Sequence, residues 1–403
     1  MRRIVIITLA LSQIVLGYSQ ASAQKALNNG MKFDLNSGAY EFGLGGLIQV
    51  SANRFSEELS DPTYQFFPQR TFLNFYGKSN EKGLGFYTQV DFSMPNLLLD
   101  AVVSFNLKKV IQIEIGQRQN VGNNREMLIQ EGNLIYADRD LLSTAFGRSG
   151  REFGVFVDPS ITLGSWVVNP QISITSGDGL NSFGVDSRDM DQGGFKYSGR
   201  LDIYPFGDKI DYRNMQLSPV FNGSKTPWAV LGVYGSVNQG VSDAKGEGHN
   251  AFFLYNSTGA NMHPNYRKWG LDLLFKWSRI SVLAEYGIAT ANGLKGAYID
   301  VFGNQKLKET QISEYLNLGN GYQLRMACLL PKQFEVFGAY SGVNQEFSNN
   351  PYSLLRSQNA WKAGLSKYVN VNDLRFQISY TSSTIRVNNA HGRQLHFGAQ
   401  MSF

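Results

Sequence analysis

From Tyr40 onward the chain alternates apolar and polar positions at period two, segment after segment. Tyr40, Phe42, Leu44, Gly46, Ile48 and Val50 share one parity; Glu41, Gly43, Gly45, Gln49 and Ser51 share the other. Such alternation predicts a strand whose two faces meet different surroundings. It recurs near 69–79, 84–93, 97–107 and 109–118. After an irregular stretch, Gln119 to Gly150, it resumes near 151–158, 161–176, 193–204, 227–240, 265–278, 280–290, 320–330, 333–343, 357–369, 373–385 and 392–403, making sixteen segments. In the last, Leu395, Phe397, Ala399, Met401 and Phe403 oppose His396, Gly398, Gln400 and Ser402.

The connections alternate in length, as they do in barrels with turns at one end and loops at the other. Short links at Asp158-Pro159-Ser160, Ser278-Arg279, Pro331-Lys332-Gln333 and Asn370 to Asn372 alternate with long ones at 119–150, 177–192, 241–264 and 291–319. The exception is 205–226, long where a short link is expected. Charge follows the same division. One face carries Trp269, Leu271, Leu273, Phe275 and Trp277, Ile111, Ile113 and Ile115, and Phe195, Tyr197, Leu201 and Ile203, with no charge. The other holds ten basic residues, Arg70, Lys78, Arg118, Lys196, Arg200, Lys268, Lys276, Arg325, Lys362 and Arg375, and seven acids, Asp91, Asp100, Glu114, Asp202, Asp272, Glu285 and Glu335. A midplane Arg or Lys facing lipid costs about 2 to 4 kcal/mol, so this segregation predicts an all-β, transmembrane antiparallel β-barrel of about sixteen strands. A soluble sandwich also alternates, but over fewer and shorter strands.

Composition fits that picture. Of 403 residues 42% are hydrophobic, 13% aromatic and 17% charged, with 42 glycines. Past the leader no apolar run is long enough for a spanning helix. Met1 to Ala23 reads as a secretory signal: Arg2-Arg3, an apolar run to about Gly17, then Ala21-Ser22-Ala23. The barrel domain is then expected over 24–403. Thirty-seven basic against 32 acidic residues give +5, or +3 (35 against 32) once Arg2 and Arg3 leave, too small and scattered for nucleic acid. Cys328 stands alone, which excludes an intrachain disulfide and a cysteine-built metal site.

Arg70-Thr-Phe-Leu-Asn-Phe-Tyr-Gly-Lys, Gly85-Phe-Tyr-Thr-Gln-Val-Asp-Phe92 and Gly116-Gln-Arg118 resemble the phosphate-selective porin O and P family of outer-membrane channels. So do Asp138-Arg139-Asp140, Gly150-Arg-Glu-Phe-Gly-Val155, Tyr204-Pro-Phe-Gly207 and Leu330-Pro-Lys-Gln-Phe-Glu-Val-Phe337. The resemblance spans nearly all of 24–403. It implies a sixteen-stranded, usually trimeric porin with an inward-folded third loop and a basic, anion-conducting lumen. The chain departs from it in having Ala339 before Tyr340, where the family's arginine is expected, and in lacking a dense lysine cluster.

The stretch 119–150 is the expected constriction loop. It and its border carry Arg125, Arg139, Arg148 and Arg151 among Glu126, Glu131, Asp138, Asp140 and Glu152. These arginines either form an eyelet that attracts anions or pair with the carboxylates and fix the loop to the wall. With the wall residues Arg70, Arg118, Lys196, Arg200 and Arg375 they make the predicted pore-lining, anion-binding set. Arg118 is favoured by its register with Gln112 and Glu114, and the small basic excess predicts a weak to moderate anion preference.

Other candidates are weaker. Asp186, Asp189 and Asp191 lack the full calcium-loop pattern and read as a solvated loop. His249, His263, His391 and His396 show no metal spacing. Tyr204-Pro205-Phe206-Gly207 reads as a turn with interfacial aromatics. Neither a nucleotide motif nor a nucleophile elbow is present. The expected function is therefore passive diffusion of small hydrophilic solutes, with no enzyme chemistry and no cofactor. Its rivals are a dedicated phosphate or other oxyanion channel, a rim enzyme assembled from distant strands, and a surface-binding barrel. Expected partners are outer-membrane lipid and lipopolysaccharide, the barrel assembly machinery, small anions and further copies of the chain in a homotrimer.

Overall fold

The computed structural model describes residues 30–35, 38–57, 61–79, 81–107, 110–180, 193–206, 209–219, 226–249, 251–369 and 374–403. The predicted signal sequence, the predicted Asp186 to Asp191 loop and the predicted link at Asn370 to Asn372 lie outside these residues. Sixteen antiparallel staves close into one barrel. They are β2 (Tyr40–Glu57), β3 (Thr63–Ser79), β4 (Leu84–Asp91), β5 (Leu98–Leu107), β6 (Ile111–Gln119), β7 (Arg151–Pro159) continued by β8 (Ile161–Leu163), and β9 (Trp166–Thr175). There follow β10 (Lys196–Tyr204), β11 (Trp228–Asn238), β12 (Asn265–Trp277), β13 (Ile280–Asn292), β14 (Gly319–Leu330), β15 (Phe334–Gln345), β16 (Gln358–Tyr368), β17 (Leu374–Ile385) and β18 (Ala390–Ser402).

The predicted strands are all present, with one connection corrected. Asp158-Pro159-Ser160 is not a turn: Pro159 pairs with Ile111 inside the stave and the Ser160 amide donates to Val110 O at 2.8 Å. The turn lies at Gly164, φ +65°, so that Leu163 faces Trp166. Proline chemistry suggested a turn, but a residue without N–H is tolerated where a ladder needs no donor.

β18 closes the cylinder on β2, with Ser402 opposite Leu47, and the Gly46 and Phe403 backbones exchange hydrogen bonds of 2.8 and 3.0 Å. Beyond that point a short strand, β1 (Met31–Leu35), takes over the same edge of β2, Met31 facing Leu44. In a bilayer an uncovered edge would leave backbone groups without partners. Outward positions such as Leu271, Ile172, Val233 and Phe397 are exposed and apolar. Aromatic pairs ring this outer wall, among them Trp269–Tyr286, Tyr322–Tyr340 and Trp361–Tyr380.

The interior is packed. The loop after β6 enters the lumen as two short helices, α1 (Arg125–Leu128) and α2 (Leu141–Phe146), flanking a 3-10 turn at Glu131–Asn133. Within the anomalously long 205–226 connection, at the short-turn end, residues 209–219 also turn inward. Met215 and Leu217 join Ile129, Leu134, Ile135 and Tyr136 of the loop against Val230, Leu274, Leu283 and Phe337 of the wall. The Leu217 amide donates to Asn133 O (3.1 Å) and Asn133 Nδ2 to Arg213 O (3.1 Å), so the two insertions grip each other. Tyr204, expected at the membrane interface, belongs to this interior cluster, while Phe206 is exposed. At the other end Leu142 and Phe146 pack under the long loops, against Val241, Leu254, Ile312 and Leu355.

Candidate constriction site

A loop buried inside a barrel must satisfy its charges locally, because unpaired buried charge is expensive. The loop after β6 does so through ion pairs with the wall. Arg125 Nη2 and Nε meet Asp202 Oδ1 and Asp272 Oδ1, each at 2.6 Å; Arg200 of β10 reaches the same two carboxylates at 2.8 and 2.5 Å. Two guanidinium groups and two carboxylates form a neutral square between the loop, β10 and β12. Arg325 of β14 holds Glu126 and Asp140, with Asp140 Oδ2 at 2.6 Å, and Lys362 of β16 lies 2.7 Å from Asp140 Oδ1. Burial alone would raise the Asp140 carboxyl, but Lys362 and Arg325 outweigh it and bring it down to about 2. Glu131 is likewise pulled well below the carboxylate range, Arg151 and Arg139 overriding its burial.

Seven of the nine predicted cations are committed in this way. Besides Arg125 and Arg200, Arg118 pairs with Glu114, Arg139 and Arg151 with Glu131 (3.0 and 2.8 Å), and Lys196 with Glu152 (2.6 Å). Arg148 pairs with Asp243 at the outer mouth, its side chain 63% exposed. Of the two roles weighed for the loop arginines, pairing that fixes the loop is the one this geometry displays. Arg325 and Lys362, which the sequence placed inward but outside the predicted site, are among its main anchors. Arg213, on the segment that enters from the opposite end, also joins the site. It meets Glu114 at 2.6 Å, and its guanidinium lies over Tyr87 and Tyr212 at 4.9 and 4.6 Å. Its signal in the sequence was the excess length of 205–226.

Arg70 and Arg375 differ from the rest. Among the described residues neither has a carboxylate within ion-pair distance. They sit on one cross-strand row, Arg375 of β17 opposite Gln400 of β18, Gln400 opposite Gln49 of β2, and Gln49 opposite Arg70 of β3. Arg375 Nη2 donates to Gln400 Oε1 (2.6 Å) and Arg70 Nη1 to Gln49 Oε1 (2.8 Å). Each also donates to a loop carbonyl, Arg375 to Leu134 O at 2.8 Å and Arg70 to Ala137 O. At strand spacings of about 4.8 Å the two Cα atoms stand roughly 14 Å apart.

Two polar cavities open beside this row toward the short-turn end. One, of about 80 Å³, is lined by Asn74, Gln89, Gln130, Asn133, Gln400 and Arg375. The other, of about 370 Å³, shares Asn74 and Gln130 with it and extends to Tyr76, Lys78, Glu114 and Arg213. Among the described residues no group of histidine, cysteine or carboxylate side chains is arranged to hold a metal ion.

No family model matches the chain, and no curated protein does. Solved structures do. The outer-membrane channel DcaP of Acinetobacter baumannii aligns over 93% of this chain and all of its own, at 13% identity and a TM-score of 0.55. OmpF of Salmonella typhi, solved with daunomycin, aligns over 93% and 100%, at 10% identity and 0.53. OmpT of Vibrio cholerae aligns over 92% and 100%, at 10% identity and 0.52. At such identities the likeness is one of fold. The chain has the closed barrel of bacterial outer-membrane porins, a porin-like channel fold.

Proposed function

We propose that the protein is a passive outer-membrane channel for small hydrophilic solutes with a weak anion preference. Residues 1–23 would direct its export, the barrel assembly machinery would insert it, and three copies would associate as the resemblance implies. Barrels of sixteen strands are wide enough for an aqueous path, and here the inserted loop and the 205–226 segment confine it to the side of β2–β6 and β16–β18. The observation that carries the anion preference is the row of Arg70 and Arg375, neither of which is held in an ion pair. The seven other predicted cations are each paired with a carboxylate, and among the described residues Arg70 and Arg375, with Lys268 and Lys276, are the inward cations left outside ion pairs; so small an excess supports a modest preference over a phosphate trap.

The test is a reversal potential in a planar bilayer under a potassium chloride gradient. A shift toward the chloride potential is expected; cation preference, or no conductance from a folded barrel, would overturn the reading. Resemblance to the phosphate-selective porins makes a dedicated oxyanion channel the second reading, and block of chloride current by low phosphate would favour it.

A further inference from the structure

The larger of the two polar cavities carries no net charge on its lining. Six charged side chains line it, the cations Lys32, Lys78 and Arg213 against the carboxylates Glu41, Asp211 and Glu114. Every one is held in an ion pair, Lys78 and Lys32 with Glu41 at 3.0 and 4.0 Å, Arg213 with Glu114 and Asp211 at 2.6 and 3.6 Å. Three charges of each sign cancel, so neither an anion nor a cation gains a compensating field on entering. Arg375 lines the smaller cavity and not this one.

Between the ion pairs stand groups that both donate and accept. Asn74 Oδ1 accepts from Gln89 at 2.9 Å, and Gln112 Nε2 donates to Glu114 at 3.2 Å. The other amide atoms of these two residues, Asn74 Nδ2 and Gln112 Oε1, have no hydrogen-bond partner among the described residues and line the cavity, as the Ser104 hydroxyl does. Amides and hydroxyls of this kind match a ligand whose own polar groups are hydroxyls, each one donor with two lone pairs.

Two tyrosines add a flat surface. Tyr76 of β3 faces Tyr87 of β4 across the ladder. Tyr76 lies along Gly43, where a Cβ would come within 2.0 Å of its Cε1, and its hydroxyl donates to Glu41 at 3.2 Å. Tyr87 is fixed by Gln130 Nε2, which donates to its hydroxyl at 2.7 Å, and by the Arg213 guanidinium 4.9 Å from its ring centre. Such rings cover the C–H face of a ligand while the polar groups around them meet its edges.

We propose that this cavity binds a neutral mono- or disaccharide in transit, its C–H face against Tyr76 and Tyr87 and its hydroxyls on the amides and ion pairs. Its volume of about 370 Å³ falls among small-molecule sites, which span about 300 to 1,000 Å³. The proposal names a solute class for the channel reading above and rests on it.

The test titrates the whole chain in detergent by calorimetry and follows block of chloride current in planar bilayers. Its probes are glucose, maltose, gluconate, glucosamine and inorganic phosphate. Maltose should bind about tenfold more tightly than gluconate, glucosamine or phosphate. Asn74→Leu and Tyr76→Ala should each weaken maltose binding about tenfold, and Tyr76→Phe should keep most of it. Glu41→Gln leaves Lys78 and Lys32 without their shared carboxylate, so gluconate should now bind more tightly than glucose. Tyr340→Ala, on the outer wall, should change nothing, and heat-modifiable gel mobility checks that each variant is folded. Gluconate or phosphate bound by wild type as tightly as maltose overturns the proposal. So does wild-type affinity in the folded Asn74→Leu and Tyr76→Ala variants, or an unchanged preference in Glu41→Gln. Conduction without sugar binding refutes this proposal alone, and sugar bound by a folded barrel that does not conduct refutes the channel reading alone.

Discussion

Arg151 of the wall and Glu131 of the inserted loop meet as a bidentate pair, Nη1 to Oε1 at 2.8 Å and Nη2 to Oε2 at 3.1 Å. Arg151 Nε also reaches Asp100 at 3.1 Å, and Arg139 Nη2 reaches the same Glu131 at 3.0 Å. The loop is therefore tied to β5 and β7 on one side, while Arg325 and Lys362 tie it to β14 and β16 on the other. Its position across the lumen is an electrostatic consequence of which wall strands carry which charges.

Removing one member of such a buried pair leaves the other uncompensated, at about 3 to 5 kcal/mol. Glu131→Gln should loosen the loop at its midpoint and leave the barrel closed, since the staves do not depend on it. We expect a larger and noisier single-channel current with unchanged heat-modifiable mobility. A current as quiet as that of wild type would contradict this anchoring role.

Selectivity should separate the predicted arginines into two groups. Arg70→Gln/Arg375→Gln removes charge that no ion pair holds while keeping a donor at each position, so the reversal potential should move toward zero selectivity. Arg118→Gln/Arg200→Gln removes charge already balanced by Glu114, Asp202 and Asp272, leaving net negative charge behind; it should shift the potential toward cations and destabilise the fold. If both double variants behaved alike, the distinction between paired and unpaired arginines would have no functional meaning.

Acid should release the loop. Asp140 lies at about 2 because Lys362 and Arg325 outweigh its burial, whereas an unfolded aspartate titrates near 3.9. A carboxyl depressed in the folded state contributes stability that is complete above the unfolded value and fades as pH falls toward the folded one. The anchoring should therefore hold above about pH 4 and weaken between about 4 and 2, with Glu131 acting in the same direction. Current noise recorded from pH 6 to pH 2 should rise in that window, and Asp140→Asn should already be noisy at pH 6.

Gly116 makes a backbone demand near the start of the constriction loop. Its φ is +132°, and a Cβ there would lie 2.1 Å from Ala101 O across the β5–β6 ladder. Gly116→Ala should cost roughly 1 to 3 kcal/mol in strain, before any displacement of β5. A lower yield of heat-modifiable barrel on refolding measures it; wild-type yield would show that the ladder can shift.

Most of the architecture was legible because lipid enforces period-two segregation on every stave, and the sixteen segments follow from it. Pro159 misled because turn chemistry and a gap in a ladder look alike in sequence. The constriction loop was visible by length, and its charges by composition, but not their partners. Arg125 and Arg200 share two aspartates only because the loop crosses to β10 and β12, and no spacing along the chain encodes that crossing. Arg70 and Arg375 stayed unpaired for an equally remote reason: the residues between them on their row are Gln49 and Gln400.

The 205–226 connection violated the alternation of short and long links, and that violation points to function. Leu217 and Met215 are buried against the constriction loop, and the Ser281 hydroxyl donates to Leu217 O at 2.6 Å. Arg213 is held by Glu114 of β6, which also pairs with Arg118 of the same strand. Residues 209–219 thus enter the lumen from the short-turn end, as the loop after β6 does from the other. Replacing 205–226 with a two-residue turn should leave the sixteen staves intact, since β10 and β11 pair directly with Ile203 opposite Leu231. The lumen should then open, with conductance roughly doubled or more and permeation by neutral solutes too large for wild type, measured by liposome swelling. Unchanged conductance and the same size cut-off would mean that the narrowest point lies wholly above this segment, at the row of Arg70 and Arg375.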